Sequence, residues 1–272
     1  MSRAPATAKL NLALVVGRAG PNGKHELTTV YQRLDLADRV AVEPAARITV
    51  TGFPGDTLVR EALGVLATAS RSGRAWRAEL TKRIPVAAGL GGGSSDAATA
   101  LRLANETLSA PLSPDRLLDL AASLGADVPF FLAQGPQLGE GDGSRLTPLA
   151  LPQDYWVVLV LPRRAAKPST AAVYDDFDMR DGGRGYRNRR AALRRALAGV
   201  ARSRDLAALP PNDLANSPLA ANLLDLGAFR ADVTGAGPVV YGLFQHLEAA
   251  RAARRSLAAH GRTWLTVPAW YG

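Results

Sequence analysis

One stretch of the chain, residues 84–100, reads IPVAAGLGGGSSDAATA and governs the interpretation of the whole sequence. The end of a predicted strand runs into Pro85, four glycines follow within five positions, and Ser94 and Ser95 open an alanine-rich helical segment. Glycine permits positive φ and close backbone approach to a ligand, and a helix N-terminus carries partial positive charge. The stretch therefore predicts an anion site, with Ser94 or Ser95 capping the helix. A flexible turn with an ordinary serine cap is the alternative.

Two common phosphate loops do not fit this chain. For the Walker form, the only candidate is Gly23-Lys24, which has Arg18 where the first glycine is required and His25 where Ser or Thr should follow. The dinucleotide form fits Gly89-Leu90-Gly91 in shape, but no acidic residue follows at a strand end about twenty positions later. Glu106 lies inside a predicted helix instead.

The composition excludes several classes of chemistry. The chain has 272 residues, 47% of them apolar, which suits one large domain or two modest ones. It contains no cysteine and only three histidines, so disulfides, thiol nucleophiles and cysteine-bound metals are excluded and a histidine metal site is improbable. Catalysis must depend on Ser, Asp, Glu, Lys or the backbone.

The net charge of +9 predicts attraction to polyanions such as nucleotides, phosphorylated metabolites or nucleic acid. Nine arginines and one acid fall within residues 180–204, and a solvated arginine-rich helix face is the simplest interpretation of this segment. The longest uncharged apolar run, residues 155–162, is far too short for a bilayer, which needs ~20 residues. No membrane helix and no signal peptide are predicted, so we expect a cytoplasmic protein.

Periodicity predicts an α+β protein with a composition change near residues 147–153. Strands are predicted over 10–16, 39–43, 47–51, 76–84, 155–161, 228–233, 239–244 and 263–267. Helices are predicted over 57–70, 94–108, 114–124, 185–203, 214–225 and 247–260. We therefore expect two domains, residues 1–150 and 151–272, without internal repeats.

The segment PVAAGLGGGSSDAA, residues 85–98, resembles the second signature of the GHMP kinase superfamily. Two segments resemble motifs of one branch, the 4-diphosphocytidyl-2-C-methyl-D-erythritol kinases: AKLNLALVVGRAGPNGKHELTTV at 8–30 and LGADVPFFLAQGPQLGEGDG at 124–143. VTGAGPVVYGLF at 233–244 and STAAVYDDFD at 169–178 resemble further motifs of the same proteins. The resemblance implies a two-domain GHMP kinase fold, with an N-terminal domain like domain 2 of ribosomal protein S5 and a ferredoxin-like C-terminal domain.

The resemblance also implies an activity. Members of this branch use ATP to phosphorylate the 2-hydroxyl of 4-diphosphocytidyl-2-C-methyl-D-erythritol, a step of the non-mevalonate isoprenoid pathway. Lys9 and Asp127 occupy the positions of the catalytic pair, and Ser95 is the candidate ligand of Mg²⁺. The residues expected to bind the ATP phosphates are Pro85, Gly89, Leu90, Gly91, Gly92, Gly93, Ser94 and Ser95. Taken alone, Lys9 would be a surface lysine at a strand start and Asp127 a turn cap.

The same resemblance implies that Asn11, His25 and Tyr174 contact the cytidine end of the substrate, and that a turn at Gly235 and Gly237 supports the glycine loop. Considered by themselves, His25 would be an ordinary loop histidine and the glycine turn an ordinary β-turn.

Two positions depart from the pattern of the branch. Lys24 stands where the family has an aromatic residue, which puts one wall of the cytidine pocket in question, although a lysine stem can cover a base. Residues 56–58 read Asp-Thr-Leu without the asparagine that contacts adenine, so no residue is assigned to the adenine ring.

Two other functions remain open at this stage. Another GHMP kinase, acting on mevalonate, homoserine or a sugar, would need no cytidine group. An S5-like RNA-binding protein would use the arginine-rich segment, but the aromatic residues are not interleaved with it as stacking platforms would be. We therefore expect a small-molecule substrate and neither a nucleic-acid nor a membrane partner, while the sequence leaves the oligomeric state undetermined.

Overall fold

The computed structural model describes residues 1–21, 23–163 and 169–269. The strands are β1 (Ser2–Ala19), β2 (His25–Ala45), β3 (Thr49–Thr51), β4 (Ala75–Thr81), β5 (Gln137–Gly141), β6 (Arg145–Pro148), β7 (Trp156–Pro162), β8 (Arg230–Val233), β9 (Val240–Phe244) and β10 (Gly261–Thr266). The helices are α1 (Leu58–Ser70), α2 (Gly92–Asn105), α3 (Pro114–Leu124), α4 (Thr170–Met179), α5 (Tyr186–Ala198), α6 (Pro218–Asp225) and α7 (Leu247–Leu257). Short 3₁₀ helices span Pro129–Phe131 and Ser203–Ala208.

Contacts divide the described chain into two compact units. The first unit contains Met1–Ala8, Leu36–Val86 and Gly91–Gln134, and the second contains Lys9–Asp35, Ala87–Leu90 and the described residues of Gly135–Gly272. The domain boundary near residue 150 stays a prediction.

In the first unit, the end of β2 pairs antiparallel with β4, and β3 pairs parallel with β4. Helix α1 buries Val59, Ala62, Leu63 and Leu66, a spacing that places them on one helical face, and it packs against α2 and α3. Trp76 of β4 is fully buried, and its indole N–H donates to the Thr107 hydroxyl at 2.8 Å, so its polar group is satisfied inside the apolar core.

In the second unit, four antiparallel strands follow the order β10-β7-β9-β8. Val158, Val160 and Phe244 of this sheet form a core with Leu223 of α6 and Ala250 of α7. The first part of β2 pairs with β5, which forms a hairpin with β6. The described residues include no helix that is long and apolar enough to traverse a bilayer.

Several predicted boundaries are wrong for local reasons. The strand predicted over residues 10–16 is too short, because β1 spans Ser2–Ala19 and continues through Gly17 as far as the Gly20-Pro21 pair. The helix predicted from residue 214 begins at Pro218, whose missing N–H is tolerated there, and the Ser217 hydroxyl accepts from the Leu219 amide. The strands β5 and β6 were not predicted because they span only five and four residues. Helix α4 was not predicted because Phe177 is its one buried residue, so its sequence shows no apolar face.

The arginine-rich segment forms α5, and part of it is anchored rather than merely solvated. Arg190 and Arg194 donate to Glu140 Oε1 of β5 at 2.6 and 2.7 Å, and Arg189 donates to Asp213 Oδ2 at 2.9 Å. The hydrogen bond from Arg190, followed by that from Arg194, lowers the pKa of Glu140 despite its burial.

Replacing Glu140 by glutamine should lower the free energy of unfolding by about 1–2 kcal/mol, because two guanidinium groups lose their shared anion. A urea titration at neutral pH measures this, with Glu248→Gln as the control, since the Glu248–Arg251 pair is exposed. Because the pKa of Glu140 is lowered, its contribution is present above the ordinary value of 4.5 and is lost as the pH falls further. Equal stability of the two variants at neutral pH would contradict the anchoring role.

Candidate active site

The glycine loop enters α2 through two residues with positive φ. Gly89 has φ +81° and Gly91, the N-cap of α2, has φ +70°, conformations that side chains other than glycine rarely adopt. The helix begins at Gly92, so Ser94 and Ser95 lie inside its first turn and neither caps it. The predicted serine cap is therefore wrong, because the glycine itself provides the turn into the helix. The first amides of α2 still lack intrahelical acceptors, which leaves a helix terminus suited to an anion.

The glycine turn at residues 235–237 lies directly against this loop within the second unit. The Val239 amide donates to the Ala88 carbonyl at 3.3 Å, and the Thr234 hydroxyl donates to the Gly89 carbonyl at 3.4 Å. A Cβ added to Gly89 would clash with the Thr234 carbonyl oxygen and would lie 3.1 Å from the Gly237 carbonyl oxygen. The close approach of these two backbone segments thus depends on a glycine at position 89.

Lys9 is buried beside the same loop and turn. Its side chain lies within β1, is 3% exposed, and donates from Nζ to Asn11 Oδ1 at 2.6 Å. Its amide donates to the Leu90 carbonyl at 2.9 Å, and a Cβ on Gly235 would lie 3.4 Å from its Nζ. A surface lysine at a strand start is therefore excluded. The structure places an ammonium group at the backbone of the glycine loop.

Hydrogen bonds at both the oxygen and the nitrogen fix the orientation of the Asn11 side-chain amide. Asn11 Oδ1 accepts from Lys9, and Asn11 Nδ2 donates to the Thr29 hydroxyl at 2.7 Å, which in turn donates to the Ala13 carbonyl at 2.8 Å. The Asn11 amide donates to the Thr234 hydroxyl at 3.1 Å. This buried network holds the ammonium of Lys9 in one direction.

A second group of predicted residues lies at the beginning of β2 and on α4. His25 Nε2 donates to Asp178 Oδ1 at 2.9 Å, and the ring centroids of His25 and Tyr174 are 4.6 Å apart at an interplanar angle of 33°. The ring of Phe177 packs edge-on against the same imidazole, with 5.9 Å between the ring centroids. The structure thus brings His25 and Tyr174 into contact, and it adds Asp178 as the group that orients the imidazole.

Lys24, which replaces the family's aromatic residue, forms an ion pair. Its Nζ lies 2.8 Å from Asp142 Oδ2, and Asp142 Oδ1 accepts from the Ser144 hydroxyl at 2.6 Å. The hydrogen bond from Lys24, followed by that from Ser144, lowers the pKa of Asp142 to about 2. The ammonium is therefore held at the turn between β5 and β6.

Asp127 lies in the first unit, in the turn that follows α3. Gly125 ends the helix, the Val128 amide donates to the Gly125 carbonyl at 3.1 Å, and the 3₁₀ helix Pro129–Phe131 follows immediately. The backbone is thus fixed on both sides of this partly buried carboxylate.

Comparisons with known proteins identify the family of the chain. The model of the GHMP kinase N-terminal domain matches residues 57–135, and that of the GHMP kinase C-terminal domain matches residues 192–263. A 4-diphosphocytidyl-2-C-methyl-D-erythritol kinase of Geobacter sp. (strain M21) is 38% identical over 91% of both chains. One of Pelotomaculum thermopropionicum (strain DSM 13744 / JCM 10971 / SI) is 38% identical over 90% of both chains. The chain belongs to the 4-diphosphocytidyl-2-C-methyl-D-erythritol kinase family of GHMP kinases.

The fold of this kinase family is confirmed by solved structures. A crystal structure of 4-(cytidine 5'-diphospho)-2C-methyl-D-erythritol kinase covers 98% of this chain and all of its own, at 32% identity and a TM-score of 0.79. A crystal structure of a mevalonate kinase has a TM-score of 0.74 at 11% identity over 98% of this chain, which shows the shared fold alone. The predicted two-domain α+β GHMP kinase fold is thus confirmed.

Sequence reasoning missed the residues that support the kinase loop. Thr234 precedes the glycine turn, and Asn212 donates from Nδ2 to the carbonyls of Val233 and Gly235 at 2.9 and 2.7 Å. The one local signal for Thr234 was its place, as a polar residue, directly before a glycine turn. Asn212 lies more than twenty residues upstream, so nothing local links it to the turn.

Proposed function

We propose that this chain transfers the γ-phosphoryl group of ATP to the 2-hydroxyl of 4-diphosphocytidyl-2-C-methyl-D-erythritol. The observation that carries the proposal is the similarity, along nine-tenths of the chain, to kinases whose names contain this acceptor. The buried ammonium beside a glycine loop supports the same reaction, because phosphoryl transfer needs alignment and charge stabilisation more than covalent chemistry.

The glycine loop binds the phosphates of ATP in this proposal. Residues 89–95 offer successive amides, and the first turn of α2 adds the positive end of the helix dipole. Pro85 and Leu90 contribute by shaping the backbone of the loop. The Leu90 carbonyl already accepts a hydrogen bond from the Lys9 amide. Gly235 and Gly237 support the loop from the adjacent turn.

Lys9 and Asp127 divide the chemistry between them. Lys9, held by Asn11, stabilises negative charge on the transferred group or on the substrate hydroxyl. Asp127 accepts a hydrogen bond from that hydroxyl and takes its proton late, because a loose transition state releases the proton only after the new P–O bond has begun to form. Orientation of the hydroxyl is therefore its main contribution.

The cytidine end is assigned to His25 and Tyr174, with Asn11 as a positioning residue for Lys9. The rings of His25 and Tyr174 already touch, which favours stacking of the base on the outer face of Tyr174 rather than between the two rings. His25 presents its remaining ring nitrogen and its backbone to the edge of the base, while Asp178 orients the imidazole. The aliphatic stem of Lys24 takes the place of the missing aromatic wall.

Mg²⁺ would enter with the nucleotide. The described residues include no group of three or more histidine or acidic side chains arranged to hold a metal, so the chain offers no cage of its own. A Mg²⁺ carried by phosphates keeps several waters and needs only one or two protein oxygens, a requirement that the Ser95 hydroxyl in the first turn of α2 fits. When bound, the ion neutralises charge on the triphosphate.

Turnover of alternative acceptors tests the proposal. We expect ATP consumption with the cytidine diphosphate-linked acceptor to exceed that with mevalonate or homoserine by at least about 100-fold in kcat/KM, because a site that hydrogen-bonds a base rejects acceptors lacking it. A coupled assay of ADP release, with each acceptor at equal concentration, measures this ratio. Faster turnover of mevalonate or homoserine would assign the chain to another GHMP activity.

A further inference from the structure

A buried ionic cluster outside the assigned catalytic residues connects three elements of the first unit. Lys82, directly after β4, donates from Nζ to Asp38 Oδ2 of β2 and to Asp96 Oδ2 of α2, both at 2.5 Å. Both aspartate side chains are 0% exposed and that of Lys82 is 15% exposed. We call Asp38, Lys82 and Asp96 the carboxylate clamp.

The clamp holds both ends of the glycine loop. Asp38 Oδ1 accepts from the amides of Arg83 and Ile84 at 2.5 and 2.8 Å, which fixes the chain where it enters the loop. Asp96 lies in the helix that leaves the loop, and a Cβ on Gly92 would lie 3.5 Å from Asp38 Oδ2. The segment that enters the glycine loop and the helix that leaves it are therefore linked through the single ammonium group of Lys82.

A purely stabilising role does not explain this choice of residues. One ammonium faces two buried carboxylates, and Asp96 Oδ1 is a buried oxygen without a hydrogen-bond partner among the described residues. Apolar residues of similar volume generally fill such a space at equal or lower free energy, whereas hydrogen-bonded ions fix a geometry. Directional bonds to two backbone amides and to a helix set the spacing of the loop ends.

We propose that Asp38, Lys82 and Asp96 are positioning residues that hold the two ends of the glycine loop at the spacing that binding of the ATP phosphates requires. This inference rests on the proposed function, because it concerns the nucleotide half of that same site.

Asp96→Asn replaces the carboxylate bonded to Lys82 by a neutral amide that keeps one oxygen able to accept from Lys82. We expect KM for ATP to rise about tenfold at neutral pH, since an amide also presents an N–H group to the clamp, with KM for the acceptor changed less than about twofold. The Kd of a nonhydrolysable ATP analogue should rise by about the same factor, because the loop binds the phosphates before any chemistry occurs. Asp119→Asn is the matched control, because Asp119 forms an exposed ion pair with Arg116 in the same unit.

Calorimetric titration with the ATP analogue, without any acceptor, separates this inference from the proposed function. Analogue binding that depends on Asp96 supports the clamp even if the cytidine acceptor is not turned over. An Asp96→Asn protein that binds the analogue like the wild type, or one that raises both KM values equally, overturns it. Should that variant fail to fold, Asp38→Asn takes its place, since Asp38 fixes the chain where it enters the loop, and binding of the analogue with the wild-type Kd then overturns the inference.

Discussion

Asp127→Asn should lower kcat by at least about 100-fold and leave KM for ATP nearly unchanged, the effect expected on removing a positioned acid–base group. An asparagine amide keeps the size of the side chain but cannot take the proton of the substrate hydroxyl. The carboxylate lies in a turn that is fixed by the Val128 amide on one side and a 3₁₀ helix on the other, so the substitution should leave the backbone in place. Steady-state kinetics with saturating ATP measures the loss.

Asp115→Asn provides the control, because Asp115 is an exposed residue in the first turn of α3, twelve residues before Asp127. It should retain the wild-type kcat. Lys9→Met examines the pairing: if Lys9 and Asp127 act on one hydroxyl, the double variant should lose little more than the more damaging single one. If the fold-loss in kcat of the double variant equals the product of the two single losses, the assigned role is refuted. Near-normal turnover by Asp127→Asn would refute it as well.

Local sequence signals were sufficient for much of the fold. Helix α3 spans Pro114–Leu124 as predicted, because a proline in the first turn and a glycine at the C-cap, Gly125, act through local backbone geometry. The start of α2 was misplaced because glycine has low helix propensity, although Gly92 and Gly93 lie in a first turn where the cap at Gly91 decides the conformation. Tertiary context thus overrode propensity at the position that matters most for the loop.

In the candidate site, too, local motifs predicted some residues and not others. Lys9, Asn11 and Gly89 lie in recognisable motifs, but the residues that fix them are distant in sequence: Thr234 bonds to Asn11 across 223 positions. Asp38 and Lys82 are separated by 44 positions, and no periodicity relates a carboxylate on one strand to a lysine after another. Motifs identify the candidate ligand-binding groups, whereas the residues that hold those groups in place can be recognised only in the folded chain.

Gly89→Ala should raise KM for ATP at least about tenfold and lower the free energy of unfolding by about 2 kcal/mol or more. Alanine is strained at φ +81°, and its Cβ would penetrate the Thr234 carbonyl oxygen, which belongs to a turn held by two hydrogen bonds from Asn212 to the carbonyls of Val233 and Gly235. The loop must therefore move away from that turn, taking with it the Leu90 carbonyl to which the Lys9 amide donates. Urea titration and ATP kinetics measure the two effects separately.

Gly64→Ala distinguishes a loop effect from a general consequence of adding a methyl group. Gly64 lies within α1, and a Cβ there would meet nothing within 4 Å, so alanine should stabilise the protein by about 0.5–1 kcal/mol without changing KM for ATP. If Gly89→Ala lowers stability but leaves KM for ATP intact, the contact with Thr234 is structural only and the phosphates bind elsewhere. If both quantities change while Gly64→Ala remains an active enzyme, the approach of the loop to the glycine turn is itself a requirement for ATP binding.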